Sequence, residues 1–433
     1  MKESFYNLYA PIKDKQLCYN SLRGLYTVIS NEDYQKLKDN LSELPPSELE
    51  HLFKHGFIID DNFDELAYLE NKYDDNVESS VLDLTILPTL DCNLRCWYCF
   101  EKHIKGSRLS IAVQQRIFDY VKKELDSDKI TEIQVCSFGG EPLLYFKEEL
   151  YPLLEKIQEY ALSIGKKSSF SFITNGICIT KESIELFKKL NASFQISIDG
   201  YREKHNKVKK TKTIHNAYDL VIEALYNLRD SYNPHINLRI NYDNETLLHI
   251  ENVVKDIIGL DREKVMIHLE RVWQTSKDKR SEQVKNAITL FLINGFRVTY
   301  LNLSRIADSC KASKKNQIVI SYDASVYKCT GRDFDENHRE GILLDDGSVI
   351  WNKEKLEKRL SIRTYVNPLC LNCKLLPICW GPCCQKQMEG LAIKDTCQLN
   401  ILELSLEEYL LLRFNSDILD DRLEKQKNDK DHE

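Results

Sequence analysis

Pro88-Thr89-Leu90-Asp91-Cys92-Asn93-Leu94-Arg95-Cys96-Trp97-Tyr98-Cys99-Phe100-Glu101-Lys102-His103 carries three cysteines within eight residues. The spacing lets three thiolates converge on one face of a small object. Three, not four, is the informative number. A structural zinc site closes its tetrahedron with four protein ligands. A four-iron cubane held by three cysteines keeps one iron open for an outside ligand, although four-cysteine ligation is usual. The competing reading is a turn whose thiols are merely buried. The density of cysteines and the aromatic Tyr98 directly before the third weigh against it.

The surroundings of the triad set the fold. Six strand patterns, Leu82–Leu87, Glu132–Phe138, Ser169–Thr174, Phe194–Ile198, Asn237–Asn241 and Val265–Glu270, alternate with helical ones. Leu150, Leu153, Leu154, Ile157 and Ala161 line one helix face, as do Ala217, Val221, Ala224, Leu225 and Leu228. Six strand–helix units predict a parallel sheet with helices outside it. A closed eight-unit barrel needs more chain, so the fold class expected is α/β, a partial (β/α)6 barrel over residues 76–300. Ligands of such folds collect at the carboxyl ends of the strands, and the triad directly follows strand one.

Before the barrel, residues 1–75 read as a small α+β, winged-helix-like module. Apolar runs at Phe5–Ala10, Gln16–Asn20 and Leu25–Ile29 are broken by turn sequences and predict a small antiparallel sheet. Helices are expected at Glu32–Leu41 and Pro46–His55, the second stopped by Gly56, with a helix-bearing connector over Asp60–Asn76. After about residue 300 the alternation stops and eight cysteines follow, so residues 301–400 read as a cysteine-rich, cluster-binding domain. Residues 401–433 are expected to hold an amphipathic helix, Ile401–Phe414, and a disordered polar tail from Arg422.

Strand two runs into Phe138-Gly139-Gly140-Glu141-Pro142, strand three into Thr174-Asn175-Gly176, and strand four into Ser197-Ile198-Asp199-Gly200. Paired glycines after a strand let a ligand approach bare backbone. Singly these are ordinary turns; together they cluster at strand ends. The triad with its aromatic and the Gly-Gly-Glu-Pro element resemble the radical S-adenosylmethionine (SAM) family. That resemblance implies a SAM-binding [4Fe-4S] cluster on Cys92, Cys96 and Cys99, with SAM contacted by Tyr98, Gly139, Gly140, Glu141, Asn175, Ser197 and Arg239. It also implies reductive cleavage of SAM to a radical that removes hydrogen from an unactivated carbon. No catalytic residue beyond cluster and SAM is expected.

Cys370, Cys373, Cys379 and Cys383 are spaced by two, five and three residues, with Cys310 and Cys329 before and Cys397 after. This order resembles the SPASM extension of that family and implies two auxiliary [4Fe-4S] clusters, three in all. By resemblance Cys370, Cys373, Cys379 and Cys397 hold the outer one, and Cys310, Cys329 and Cys383 the inner. Zinc is the alternative, because cysteines two apart also begin zinc ribbons. Ala324 stands where the family often has glycine, which implies a tight turn. Cys18, Cys136 and Cys178 read as core thiols, and Cys384 as a neighbour of a ligand. The segment Val298–Ser309 has no cysteine to complete the inner cluster. An open iron there would suit a substrate thiolate; a histidine, carboxylate or water is the alternative.

The net charge of −7 is spread along the chain and gives no argument for nucleic acid. No signal peptide or membrane-length apolar run is present, so a cytoplasmic location is expected. Fourteen cysteines there favour cluster ligation over disulfides. The resemblance and the leading module point to a maturase of ribosomally made precursor peptides. The leader would be held by the module, and a low-potential donor such as flavodoxin or ferredoxin would supply the electron. A thioether (Cys-to-carbon) crosslink is favoured over a carbon–carbon one by the missing inner ligand. The further alternatives are a sulfatase-activating formylglycine-forming enzyme, disfavoured because Thr330 rather than aspartate follows Cys329, and a non-catalytic iron–sulfur or zinc protein.

Overall fold

The computed structural model describes residues 1–275, 280–300, 310–363 and 366–430, with side chains to residue 423 in the last helix. The chain opens on β1 (Lys2–Glu3) and a three-stranded antiparallel sheet of β2 (Asn7–Ile12), β3 (Lys15–Asn20) and β4 (Leu25–Ser30). The strand order β2-β3-β4 leaves the outer edge of β4 without a strand partner among the described residues. Ser30 ends β4 and caps the helix Asn31–Asp39 by accepting the Asp33 N–H, an N-cap device. That helix and Pro46–Lys54 bury Leu37 and Leu52 against Cys18 and Ile29 on one face of the sheet. Gly56, at φ +78°, then turns the chain into β5 (Ile58–Ile59), which pairs with β1.

The helix Glu65–Val77 leads into the large sheet. Its first strands are β6 (Val81–Leu87), β7 (Glu132–Ser137), β8 (Lys167–Thr174), β9 (Ser193–Ile198), β10 (Ile236–Tyr242) and β11 (Val265–Arg271). These are the six expected strands, paired in parallel and in sequence order. Two more extend the parallel run. They are β12 (Arg297–Tyr300) beside β11 and β13 (Gln317–Ser321) beside β6. An antiparallel meander of β14 (Ser325–Tyr327), β15 (Gly341–Leu343) and β16 (Val349–Trp351) continues from β13. No strand pair closes the two ends among the described residues, so the barrel is partial.

Along β7 to β10 the sequence alternates with period two, which sends successive side chains to opposite faces. Ile133 and Val135, Phe170 and Phe172, Phe194 and Ile196, and Leu238 and Ile240 are buried under the helices. Gln134, Ser171, Gln195, Ser197, Arg239 and Asn241 occupy the other face and are only half-buried. A parallel sheet buried on both faces would be apolar on both. The barrel interior here is polar, as a ligand-holding space requires.

The helix Leu406–Lys430 crosses the sheet of the leading module. Tyr19 and Tyr26 stack at 4.5 Å, the Arg413 guanidinium lies 5.0 Å from the Tyr19 ring, and Tyr26 donates to Asp417 at 2.9 Å. Within the same region Glu403 is buried and accepts from Tyr242 and Arg280 at 2.5 and 2.7 Å. Of the tail expected to be disordered from Arg422, the backbone as far as Lys430 is helical instead, and residues 431–433 lie outside the described residues. Packing of the first turns removes the nucleation cost, and the Asp-, Glu-, Lys- and Arg-rich continuation propagates it. No described helix is long and apolar enough to cross a membrane.

Ala324 closes the β13–β14 hairpin at φ +66°, where its Cβ crowds the backbone, and it is 2% exposed. The turn is held by Ala324 N–H donating to Ser321 O at 2.9 Å. Ala324→Gly is expected to raise unfolding free energy by about 0.5–1 kcal/mol, because glycine adopts this conformation without the steric cost. A urea midpoint that stays level or falls would refute strain at this position.

Candidate active site

The triad loop begins where β6 ends. Its base is closed by Thr89 Oγ1 donating to Ser107 O at 2.7 Å and by Leu90 N–H donating to Ser107 Oγ at 2.9 Å. Asp91 accepts from the Cys92 and Gly106 N–H groups, both at 2.8 Å, so one carboxylate ties the two ends of the cysteine segment. The glycine pair after β7 docks against this base. Gly140 has φ +51°, and a Cβ there would lie 2.1 Å from Asp91 O. Gly140 N–H donates to Glu101 Oε2 at 2.6 Å, and Glu141 N–H to Asp91 O at 2.8 Å.

Glu141 itself is fully buried. Its Oε1 accepts from Thr174 Oγ1 at 2.7 Å and Leu143 N–H at 3.1 Å, and its Oε2 from Asn175 N–H at 2.9 Å. The carboxylate therefore binds the ends of β7 and β8 to each other, and its burial pushes the pKa up against these donors.

The strand ends form a polar ring around the cysteines. Asn175 donates to Asn93 Oδ1 at 2.8 Å, with its nitrogen 4.0 Å from Cys92 Sγ. Tyr98, Asp199 and Asn241 make a closed triangle. Tyr98 Oη and Asn241 Nδ2 donate to Asp199 Oδ1 at 2.7 and 2.8 Å, and Asn241 reaches Tyr98 Oη at 3.2 Å. Ser197 accepts from Lys209 Nζ at 2.5 Å. Arg239 donates to Asn241 Oδ1 at 3.1 Å and stands 3.9 Å from Glu270.

Four residues absent from the sequence reading belong to this ring. Lys209 is buried and is the cation that opposes the rise in the Cys96 and Cys99 pKa values. Glu270 accepts from His268, faces Arg239 and receives the Trp273 indole; these partners hold its carboxyl below the usual range despite burial. Gln274 donates to Tyr98 O at 2.8 Å, and Trp273 stacks on Phe100 at 6.3 Å. Lys209 lies in the basic run Lys207-Val208-Lys209-Lys210, which reads as a solvated face. Glu270 offered one signal, its place at the carboxyl end of a strand.

Burial pushes Cys92 up to about 12, aided by the Glu141 charge, and Cys96 up to about 11; Cys99 is raised for the same reason. The free thiols are thus protonated near neutrality, and ligation releases those protons. Three thiols on one loop, a cradle that a Cβ would fill and a ring of donors and acceptors together fit an iron–sulfur cluster with a polar cofactor beside it.

Residues 86–257 match the radical SAM superfamily. The barrel thus carries a radical SAM domain, and the chain is an enzyme. It is similar to the radical SAM cyclopropyl synthase TigE of Paramaledivibacter caminithermalis, 22% identical over 404 residues, 84% of this chain and 79% of that protein. It is also similar to the cysteine-type anaerobic sulfatase-maturating enzyme of Clostridium perfringens, 24% identical over 366 residues, 77% of this chain and 96% of that protein. Among solved structures, native anSMEcpe with bound AdoMet and Cp18Cys peptide matches with TM-score 0.55 at 20% identity, covering 81% of this chain and 99% of that one. Streptococcus suis SuiB bound to precursor peptide SuiA matches with TM-score 0.52 at 17% identity, covering 92% and 99%. At these identities the structural likeness is one of fold. The match of this domain supports SAM and an iron–sulfur cluster as its cofactors.

The later cysteines form two groups. Cys370, Cys373, Cys379 and Cys397 line one cavity of about 280 Å³ with Leu375 and Pro382. Leu376, which also lines it, packs with Trp380 against Tyr6, Leu22 and Tyr73 of the leading module. The second group is Cys310, Cys329 and Cys383, joined by Cys384, whose sulfur meets that of Cys310. Part of the segment read as lacking a fourth ligand, residues 301–309, lies outside the described residues. Among the described residues no three His, Cys, Asp or Glu side chains are close enough to hold a single metal ion. Of the remaining cysteines, Cys18 is in the core, whereas Cys178 accepts from Asn93 Nδ2 at 3.4 Å beside the triad.

Two outcomes are expected. Gly140→Ala forces a side chain into Asp91 O, and equilibrium dialysis with SAM should show at least a tenfold loss of binding; retained affinity would exclude the cradle. His205 is buried and accepts the Asp199 N–H at Nδ1, at 3.1 Å. Burial, with Lys209 nearby, lowers its pKa from 6.5 to about 3. Its contribution to stability is complete above pH 6.5 and is lost as pH falls toward 3, since only the unfolded chain takes up the proton readily. His205→Gln, whose amide oxygen can accept the same N–H, should flatten the fall of the melting temperature across that window. An unchanged slope would remove His205 as its source.

Proposed function

We propose that this chain is a peptide maturase: it abstracts hydrogen from a ribosomally made precursor peptide and closes a crosslink in it. In this reading Cys92, Cys96 and Cys99 hold a [4Fe-4S] cluster, and Tyr98, Gly139, Gly140, Glu141, Asn175, Ser197 and Arg239 surround SAM. Cys370, Cys373, Cys379 and Cys397 hold an outer auxiliary cluster, and Cys310, Cys329 and Cys383 ligate an inner one, the SPASM arrangement. A flavodoxin or ferredoxin supplies the electron. The bound cofactors supply hydrogen abstraction from an unactivated carbon; the chain binds, orients and excludes water.

The observation that carries the peptide reading is the groove at the Leu25 end of β4, the strand whose outer edge has no strand partner among the described residues. It is a cavity of about 300 Å³ lined by Leu25, Phe53 and Phe63, with Arg23 and Lys54 at its margin. Phe53 is 40% exposed and Leu25 38%, so an apolar surface stands beside unpaired strand backbone. An extended leader can add to that edge by main-chain hydrogen bonds and set apolar side chains in the groove, its acids toward the two cations. Tethering there raises the effective concentration of the rest of the peptide at the barrel. The solved structures of SuiB and anSMEcpe described above are both named with a bound peptide, which supports the same class.

Two bond outcomes remain under this reading. A cysteine-to-carbon thioether suits an inner cluster with an iron open to a substrate thiolate. A carbon–carbon crosslink suits a closed one, and the relative TigE is named a cyclopropyl synthase. Co-expression with a precursor peptide encoded beside the gene should give a product lighter by two hydrogens, absent with Cys96→Ala. Thiol alkylation of that product distinguishes the outcomes, since a thioether consumes a cysteine. Phe53→Asp should weaken leader binding about tenfold or more, roughly 1.4 kcal/mol, while reduced enzyme still forms 5′-deoxyadenosine from SAM. Loaded enzyme that cleaves SAM but never alters a peptide would refute the maturase reading.

A further inference from the structure

Cys384 does not have the surroundings of a thiol used as a small hydrophobe. It is 3% exposed, yet its sulfur meets polar groups: Arg359 Nη1 at 3.5 Å, the Cys310 sulfur and Ser313. Cys329 lies within electrostatic reach of Cys310, Cys383 and Cys384 alike. Cys383 stands at the N-cap position of the helix Cys384–Met388, and Cys384 is its first helical residue. Four sulfurs, not three, therefore gather between β14, the loop before β13 and this helix.

The charges around them point the same way. Arg359 is 1% exposed and binds Glu340 through two bonds of 2.5 and 2.9 Å, and Gln385 at 2.6 Å. Lys328 is 1% exposed, and its ammonium donates to the carbonyls of Lys314, Lys315 and Gln317 at 2.7, 3.3 and 2.6 Å. Two buried cations thus stand beside four thiols with one buried carboxylate, Glu340, between them. Buried charge of one sign is costly without its opposite. A cluster carrying four thiolates is negative and supplies it.

We propose that Cys384 is the fourth protein ligand of the inner auxiliary cluster, with Arg359 donating to its coordinated sulfur. The inference rests on the auxiliary-cluster reading above and sharpens it. Ligation removes the Cys384 proton to solvent and involves no redox change. An inner cluster closed in this way has no iron vacant for a peptide thiolate, which removes the ground on which the thioether was favoured.

The test uses the full chain with Cys92, Cys96 and Cys99 replaced by alanine, so that only auxiliary iron remains. This parent should bind about eight irons. Adding Cys384→Ala should remove about half of them. Alternatively, the cluster survives on three thiolates with a changed electron paramagnetic resonance signal that shifts again on adding β-mercaptoethanol; the parent's signal ignores the thiol. Cys384→Ser, close in size, serves where the alanine variant does not fold, and Cys18→Ala is the core-thiol control. Iron content and spectrum equal to the parent's, with no response to the thiol, would overturn the assignment of Cys384 alone. A parent without iron would instead overturn the auxiliary-cluster reading, and this inference with it.

Discussion

One buried carboxylate holds the working end of this barrel together. Glu141 sits where β7 ends, takes donors from Leu143, Thr174 and Asn175, and through its own N–H fastens to Asp91 O at the base of the triad loop. A carboxylate this deep is tolerated only when its lone pairs are used. The same placement requires bare backbone beside it, since a side chain at Gly140 would collide with Asp91. The positions of Cys92, Asn175 and the glycine cradle are thus consequences of satisfying one charge.

The cysteine-rich region is joined to the barrel by strand pairing and not by a linker. β13 lies in parallel register on β6, with Gln317 opposite Asp83 and Ser321 opposite Leu87, and the meander to β16 continues outward. Cys310 and Cys329 flank the β13–β14 hairpin that begins this extension. The strand that launches the triad is therefore hydrogen-bonded directly to the strand beside the inner thiols. Such a pairing fixes spacing far more firmly than a flexible connection.

The six central strands and the triad were legible because both are local: period-two alternation bounded by turns, and cysteines within one loop. β12 is only four residues long, too short for a periodic signal, and β13 is a uniformly buried Gln-Ile-Val-Ile-Ser with no alternation to read. The polar ring was legible only in part. Asn175, Ser197 and Arg239 announced themselves by ending strands, but Lys209 reaches Ser197 from a run that looks solvated. The orientation of Glu141 was beyond reach for another reason. Which way a carboxylate turns depends on donors supplied 33 and 34 residues later. Cys384 shows the same limit, since adjacency to a ligand says nothing about which thiols it meets.

The two ends of the chain clasp one another. Ser21 donates to Lys374 O across 353 residues, and Tyr26 to Asp417 across 391. Two of the seven buried residues of the apolar seam around Tyr73, Leu376 and Trp380, come from the cysteine-rich region. On a ribosome adding roughly 5–20 residues per second, the first module waits roughly 20–70 s for the surface that completes it. Its own strands and helices can form early, because their contacts are local. Its fit against the outer cysteine loop cannot exist until residues 374–417 have been made, so this module reaches its final packing long after its own residues have left the ribosome.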